Sequence, residues 1–267
     1  MTDRTNYTVE EIRKGIYKIS ELNIANCYLI IGDKKAMLID CCVGIGDIKS
    51  VVRSLTKLPI ILAATHAHID HMGAARQFGK VYIHNKETVF ATYQSFRLLR
   101  SKFLQVHPSS KTFSIDCRHF PRDKFYLTIK PFSDGHEFDL GGRIVKAYLT
   151  PGHTAGSVCY RVETENIAFV GDSLIPCLNL SYHHVATLSR WKDSVESLLS
   201  LCNGCELYGG HGRSAINHDG IRWQLETAKR IIEQTEKNDS YINRKKVTVR
   251  NDEHPHLMVV YRTDMIL

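Results

Sequence analysis

Short apolar runs alternate along this chain with longer stripes whose apolar positions recur three and four apart. Residues 16–19, 27–31 and 36–40 read as strands, the last two separated by the Gly32-Asp33 turn signal. The segment 47–58 reads as a helix with Ile48, Val51, Val52 and Leu55 on one stripe. Residues 59–64 form another strand-like run, 72–78 a short helix and 81–84 a further strand. The spacing then predicts one helix from Glu87 to about Phe103, with Val89, Phe90, Tyr93, Phe96 and Leu99 inward. Pro108 and Pro121 interrupt the next stretch, so 107–127 reads as an irregular, lid-like loop. Turn signals at Asp134-Gly135 and Gly141-Gly142 frame two strands, the second at 143–149. Residues 158–162 and 167–170 read as a hairpin. Leu188, Trp191, Val195, Leu198, Leu199 and Cys202 make a helical stripe capped by Thr187 or Ser189. A strand at 206–208, a long helix carrying Ile221, Leu225, Ala228, Ile231 and Ile232, and a strand-like run at 257–261 complete the pattern. The alternation of strands with helices marks an α/β protein. With no repeat, linker or low-complexity stretch, the expectation is a single domain over 1–267 with a basic helical and loop insertion at about 87–127.

Composition narrows this modestly. At 267 residues, 43% hydrophobic and 24% charged, the chain is long and apolar enough for a sizeable core. No apolar run approaches the ~20 residues that span a bilayer, and the first residues lack the apolar stretch of a signal peptide. A cytoplasmic protein with no membrane partner is therefore expected. The eight cysteines do not form a disulfide framework, and Cys202-Asn-Gly-Cys205 reads as a pair of small buried hydrophobes rather than half of a zinc knuckle. The net charge of +7 is concentrated. Between Arg97 and Lys130, eight Lys/Arg face two Asp, a local excess of +6. That stretch reads either as a solvated face or as a basic rim that attracts an anionic small-molecule substrate. The overall charge is modest for a polyanion binder, which argues against a nucleic-acid partner.

The candidate chemistry lies in the loops after strands. Thr65-His66-Ala67-His68-Ile69-Asp70-His71 places four potential ligands within six positions. In extended backbone alternate side chains share a face, so His66, His68 and Asp70 can converge while His71 points elsewhere. That divergence suits two adjacent cations better than one. Asp40, His153, Asp172 and His211 each also follow an apolar run, in a loop with glycine or another small residue. Strand ends on one sheet edge can assemble a site from distant parts of a chain. Asp40 reads equally as an acid that orients a ligand histidine or as a cap for the helix after it. Histidine and carboxylate donors without thiolate suit zinc, with manganese or iron also compatible.

In order, the His-x-His-x-Asp-His, Thr-Pro-Gly-His-Thr-x-Gly-Ser, Gly-Asp-Ser and Gly-His-Gly motifs resemble those of the metallo-β-lactamase-fold superfamily of hydrolases, over about residues 16–236. The resemblance implies a four-layered αβ/βα sandwich with a dinuclear site, two zinc ions by preference, along one edge. It assigns His66, His68 and His153 to the first metal, Asp70, His71 and His211 to the second, and Asp172 to the bridge. Cys41-Cys42 departs from the threonine-glycine usual after the family's strand-end acid. Two cations flanking a shared hydroxide bring its pKa towards ~7. Asp70 can then orient that nucleophile and pass its proton to the leaving group. Tyr182, in a loop after Asp172 with His183 and His184, is a candidate donor to a developing oxyanion. His107, His119 and His136 read as surface or loop residues, and His254 and His256 carry no signal.

A bridging aspartate resembles the thioesterase, lactonase and phosphodiesterase branches more than the antibiotic-cleaving one. The leading expectation is a dinuclear hydrolase of a small ester, thioester or lactone. The alternatives are a phosphodiesterase on the same metals and an iron-dependent sulfur dioxygenase.

Overall fold

The computed structural model describes residues 6–107, 120–121, 126–180, 186–212, 215–216, 218–238 and 245–267. Tyr182, His183, His184, His119, and the basic residues Lys111, Arg118, Arg122 and Lys124 lie outside the described residues.

Two sheets face each other. The first runs in chain order: β1 (Tyr7–Arg13), β2 (Ile16–Glu21), β3 (Ala25–Ile31), β4 (Ala36–Ile39), β5 (Ile60–Ala63), β6 (Lys80–His84) and β7 (Thr128–Phe132). Its first four strands pair antiparallel and the rest parallel. The helix α1 (Ile48–Leu55) makes the crossover from β4 to β5. Between β5 and β6 come α2 (Ile69–Met72) and α3 (Ala75–Phe78); α4 (Thr88–Gln94) and α5 (Arg97–Val106) follow β6. The second sheet holds β8 (Glu137–Asp139), β9 (Ile144–Leu149), β10 (Val158–Val162) and β11 (Ile167–Gly171). After β12 (Cys177–Leu180) and α6 (Leu188–Leu201), β13 (Glu206–Gly209) pairs parallel to β11 and completes that sheet. The hairpin predicted at 158–170 is present, with Tyr160 opposite Phe169. The long α7 (His218–Asn238) leads to β14 (Lys246–Arg250) and β15 (Met258–Arg262), which join β12 in a small third sheet.

The layers follow from which faces are apolar. Ile30, Met37 and Ile39 of the first sheet interdigitate with Val145, Val158, Tyr160 and Phe169 of the second. The outer face of the first sheet, through Leu29, Leu38, Leu62 and Val81, packs on Ile48, Val51 and Val52 of α1. The outer face of the second, through Cys159, Ala168, Val170 and Leu207, packs on Trp191 and Val195 of α6 and on Leu225 and Ala228 of α7. The result is the αβ/βα sandwich. Strands β4 and β11 are buried on both faces, so they read as unbroken apolar runs rather than alternating ones.

The predicted helix from Glu87 is a correction. It breaks at Ser95, and its supposed inward residues Val89, Tyr93 and Phe96 are exposed. Glu87, Ala91, Arg100 and Leu104 are buried instead. The cause is Glu87: its carboxylate turns inward to accept from two backbone N–H groups, and Ala91, one turn on, follows it. Thr187 caps α6, accepting from the Arg190 N–H at 3.2 Å. Among the described residues, no helix is long and apolar enough to cross a membrane.

Candidate metal centre

Every ligand-bearing loop leaves its strand at the same edge of the sandwich, and hydrogen bonds stitch the two sheets there. Tyr28 Oη donates to the Gly209 carbonyl (2.6 Å), the Asn26 N–H to Gly210 O (2.7 Å) and the Val158 N–H to Thr65 O (3.0 Å). The loop 150–157 closes on itself: Ser157 Oγ accepts from the Thr154 N–H (3.1 Å), and the Thr150 N–H donates to Ser157 O (2.8 Å). Those bonds fix where His153 points.

Two donor triads result. His66 Nε2 lies 3.0 Å from His68 Nδ1, which lies 2.9 Å from His153 Nε2. In the second triad, Asp70 Oδ2 lies 3.9 Å from His71 Nε2 and 3.5 Å from His211 Nε2. The Asp172 carboxylate stands between them, with Oδ1 3.4 Å from His71 Nε2 and Oδ2 3.2 Å from His211 Nε2 and 3.6 Å from His153 Nε2. The seven residues singled out from the motifs are thus brought together. The expected convergence of His66, His68 and Asp70, with His71 pointing elsewhere, is a correction: Asp70 stands with His71 and His211 in the second triad. The helix α2 begins at Ile69, not Met72, so both residues sit in its single turn.

The donor set fits divalent cations on its own chemistry. The Nε2 of His71 and Oδ1 of Asp172 are buried, 3.4 Å apart, and make no hydrogen bond. Leaving such groups unpaired costs ~1–3 kcal/mol each, a penalty that a cation between them removes. Tautomers are set from outside. Thr65 Oγ1 donates to Asp40 Oδ2 (2.9 Å), so it must accept from His66 Nδ1 (3.0 Å), leaving the Nε2 lone pair facing the triad. His71 Nδ1 likewise donates to Asp40 Oδ2 (2.9 Å) and His211 Nδ1 to the Ile24 carbonyl (2.7 Å). One buried carboxylate therefore orients a donor in each triad. Asp40 sits at φ 59°, a left-handed backbone that is costly for a non-glycine residue and typical of functional sites. The helix after it is capped by Asp47 instead, which accepts from the Ser50 N–H at 2.9 Å.

Electrostatics separate the two triads. Burial pushes His66, His68 and His153 below the ordinary imidazole value, His153 to about 3, so these rings are neutral donors. Burial opposes charge on His71 and His211 too, but Asp172 outweighs it, helped by Asp40 and Asp70 at His71 and by Asp70 at His211. His211 rises to about 9 and His71 rises well above its ordinary value. Against burial, those two imidazoles hold Asp70 and Asp172 below the usual carboxylate range.

Two contributors were not legible in the sequence. Glu87 Oε2 accepts from the Ala67 N–H (3.0 Å) and Oε1 from the Gly156 N–H (2.8 Å), tying the His66–His68 loop to the His153 loop. Only its place at the start of a predicted helix could have drawn attention to it. His107, read as a loop residue, caps α5 and is half-buried near the centre. Burial lowers its pKa, while Asp70 and His211 act on it in opposite directions. Glu87→Ala leaves two buried N–H groups unpaired and frees both loops. It should weaken metal affinity roughly ten- to a hundredfold, read by competition with a chelator, while Glu87→Gln, which keeps one acceptor, should lose less. Equal affinities in wild type and Glu87→Ala would contradict this role.

The fold and this edge define a family. The model of the Metallo-beta-lactamase superfamily matches residues 21–204, and the chain belongs to that superfamily as a metallo-hydrolase. It is similar to the Homo sapiens protein named "Acyl-coenzyme A thioesterase MBLAC2", 25% identical over 216 residues that cover 73% of this chain and 76% of that one. The Gallus gallus protein of the same name is 24% identical over 208 residues, covering 70% and 73%. In fold it is similar to an archaeal metallo-beta-lactamase superfamily protein from Sulfolobus tokodaii (TM-score 0.58, 18% identity, covering 89% of this chain and 90% of that one). A Metallo-beta-lactamase from Pontibacter korlensis gives TM-score 0.59 at 16% identity, covering 82% and 97%.

Proposed function

We propose that this metallo-hydrolase cleaves thioesters of small carboxylic acids, acyl-coenzyme A compounds among them, with two zinc ions held by the two triads. The observation that carries the dinuclear reading is Asp172, whose two oxygens reach donors of both triads at 3.2–3.6 Å. The thioester reading is supported by the relatives named above. His66, His68 and His153 would hold one cation, Asp70, His71 and His211 the other, with Asp172 shared. Such a pair supplies a water nucleophile at neutral pH and a Lewis acid for the carbonyl.

The chain's own residues do the rest. Thr65 and Asp40 hold His66 and His71 in the tautomers that present Nε2, and the Ile24 carbonyl does the same for His211. Asp70 offers Oδ2 to its triad, and its other oxygen takes the proton of the attacking water and hands it to the departing thiolate, which leaves as the thiol. Its depressed pKa makes that hold brief. The ligand-bearing loops contain no lysine, and their arginines are Arg76, inside a helix, and Arg213, after the last donor, which supports a neutral carbonyl over a phosphodiester. Tyr182 would serve as the oxyanion donor. Zinc-loaded enzyme should cleave an acyl thioester faster than a bis-aryl phosphate by about tenfold or more, ~1.4 kcal/mol of barrier. The reverse preference would make it a phosphodiesterase.

Metal loading gives an independent check. At pH 7 the metal-free His211, raised to about 9, is protonated, and His71 is raised, against burial, well above its ordinary value by Asp172, Asp40 and Asp70. His211 must lose its Nε2 proton to bind, so loading at pH 7 should release at least one proton per chain. Calorimetry in buffers of different ionisation enthalpy measures this. Release should shrink as pH rises through about 9, and no release at pH 7 would contradict these donors.

A further inference from the structure

An apolar pocket of about 280 Å³ opens beside the metal centre. Ile175, Pro176, Ile216, Ile221 and Leu257 line it, and so does His211, whose Nε2 faces Asp70 and Asp172. Most of these walls come from α7, the segment before it and the turn between β14 and β15, all beyond residues 21–204 that the superfamily model matches. The walls are held in place from within. Gln224 is buried, and its Nε2 donates to the carbonyls of Ile175 (2.8 Å), Pro176 (3.0 Å) and Met258 (3.3 Å), fastening α7 to β15 and to the loop after Asp172.

We propose that this pocket is the acyl-chain subsite, which selects the substrate by chain length. The inference rests on the thioester reading above. Continuity supports it first: a carbonyl group placed at the two triads has His211 as neighbour, and the pocket begins on that same ring. Size agrees. The volume is about twice the ~150 Å³ of an apolar cavity that takes up benzene, room for a short to medium alkyl chain and too little for a nucleotide-bearing thiol. So does chemistry. The walls are mostly aliphatic, with Gln224 and His211 as polar members, while the exposed His254 and His256, with rings 5.9 Å apart, give the rim a polar edge. The leaving group therefore departs on another side of the metals, and the acyl chain fills the slot up to that rim.

Binding of straight-chain carboxylates, the products, tests this without turnover. In zinc-loaded protein, affinity should rise from acetate through butanoate to hexanoate by up to roughly fourfold per methylene, the ~0.8 kcal/mol of one buried CH₂. Ala215 lines the pocket from an exposed position, so a larger side chain there plugs it without touching the core. Ala215→Trp should erase the chain-length gain and leave acetate binding unchanged, and the smaller plug in Ala215→Leu should shift the optimum to shorter chains. Equal affinity for acetate and hexanoate in wild type, or the same gain in wild type and Ala215→Trp, overturns the inference. Thioesters of the same acids separate the two claims. Cleavage at rates indifferent to chain length keeps the thioester reading and removes the subsite. Ala215-dependent hexanoate binding with no thioester cleaved keeps the subsite and removes the thioester reading.

Discussion

Asp172→Ala should lose bound metal from both triads and lower the hydrolytic rate by roughly a thousandfold or more, about 4 kcal/mol of barrier. The effect is large because this carboxylate reaches both donor sets, 3.4 Å from His71 Nε2 and 3.6 Å from His153 Nε2. Removing it takes away a donor shared by two sites and the negative charge that offsets two cations. It also leaves His71 and His211 without their main anionic partner. Asp172→Asn tests charge apart from shape: the side chain still fits, yet the neutral amide holds a divalent cation poorly. It should fall close to the alanine variant. Metal analysis beside steady-state kinetics measures both effects, and a variant with wild-type stoichiometry and rate would end the shared-carboxylate account.

Gly210→Ala should be nearly as damaging although it removes nothing. A Cβ there would lie 2.5 Å from Asp172 Oδ1 and directly against the His71 ring. Neither neighbour can yield. His71 is fully buried and fixed by Asp40 at 2.9 Å, and Asp172 is buried between the triads. The added methyl must push donors off their common point, and a misplacement of about 1 Å can cost a hundredfold in rate. The expected result is a loss of roughly that size, ~2.7 kcal/mol, with weaker metal retention on dialysis against chelator. A variant that keeps metal and rate would show that the crowding around Gly210 relaxes without cost.

The seven candidate donors, which the structure brings together, stood out in the sequence because each stands in a short motif directly after an apolar strand, where local pattern and topology agree. Three features were not. Strand alternation wrongly groups Asp70 with His66 and His68, since α2 starts at Ile69 and a helical turn aims Asp70 and His71 together at the second triad. Apolar spacing selects the exposed face of α4 as the buried one because it cannot register that Glu87 is held inward by two distant N–H groups. At Asp40 the sequence leaves orienting and capping open, and the hydrogen bonds from Thr65 and His71, with Asp47 as the actual cap, decide between them. The pocket beside His211 was invisible for a related reason. Its walls come together through the parallel pairing of β12 with β15, residues about eighty positions apart, and His254 and His256 acquire neighbours only then.

The most direct test of the central claim follows thiol release from a short-chain acyl-coenzyme A while metal-free protein is titrated with zinc. Two triads sharing Asp172 predict activity that rises to a plateau at two equivalents per chain and is abolished by chelator. A plateau at one equivalent would contradict the dinuclear centre, and thiol release no faster than with zinc alone would contradict thioester hydrolysis.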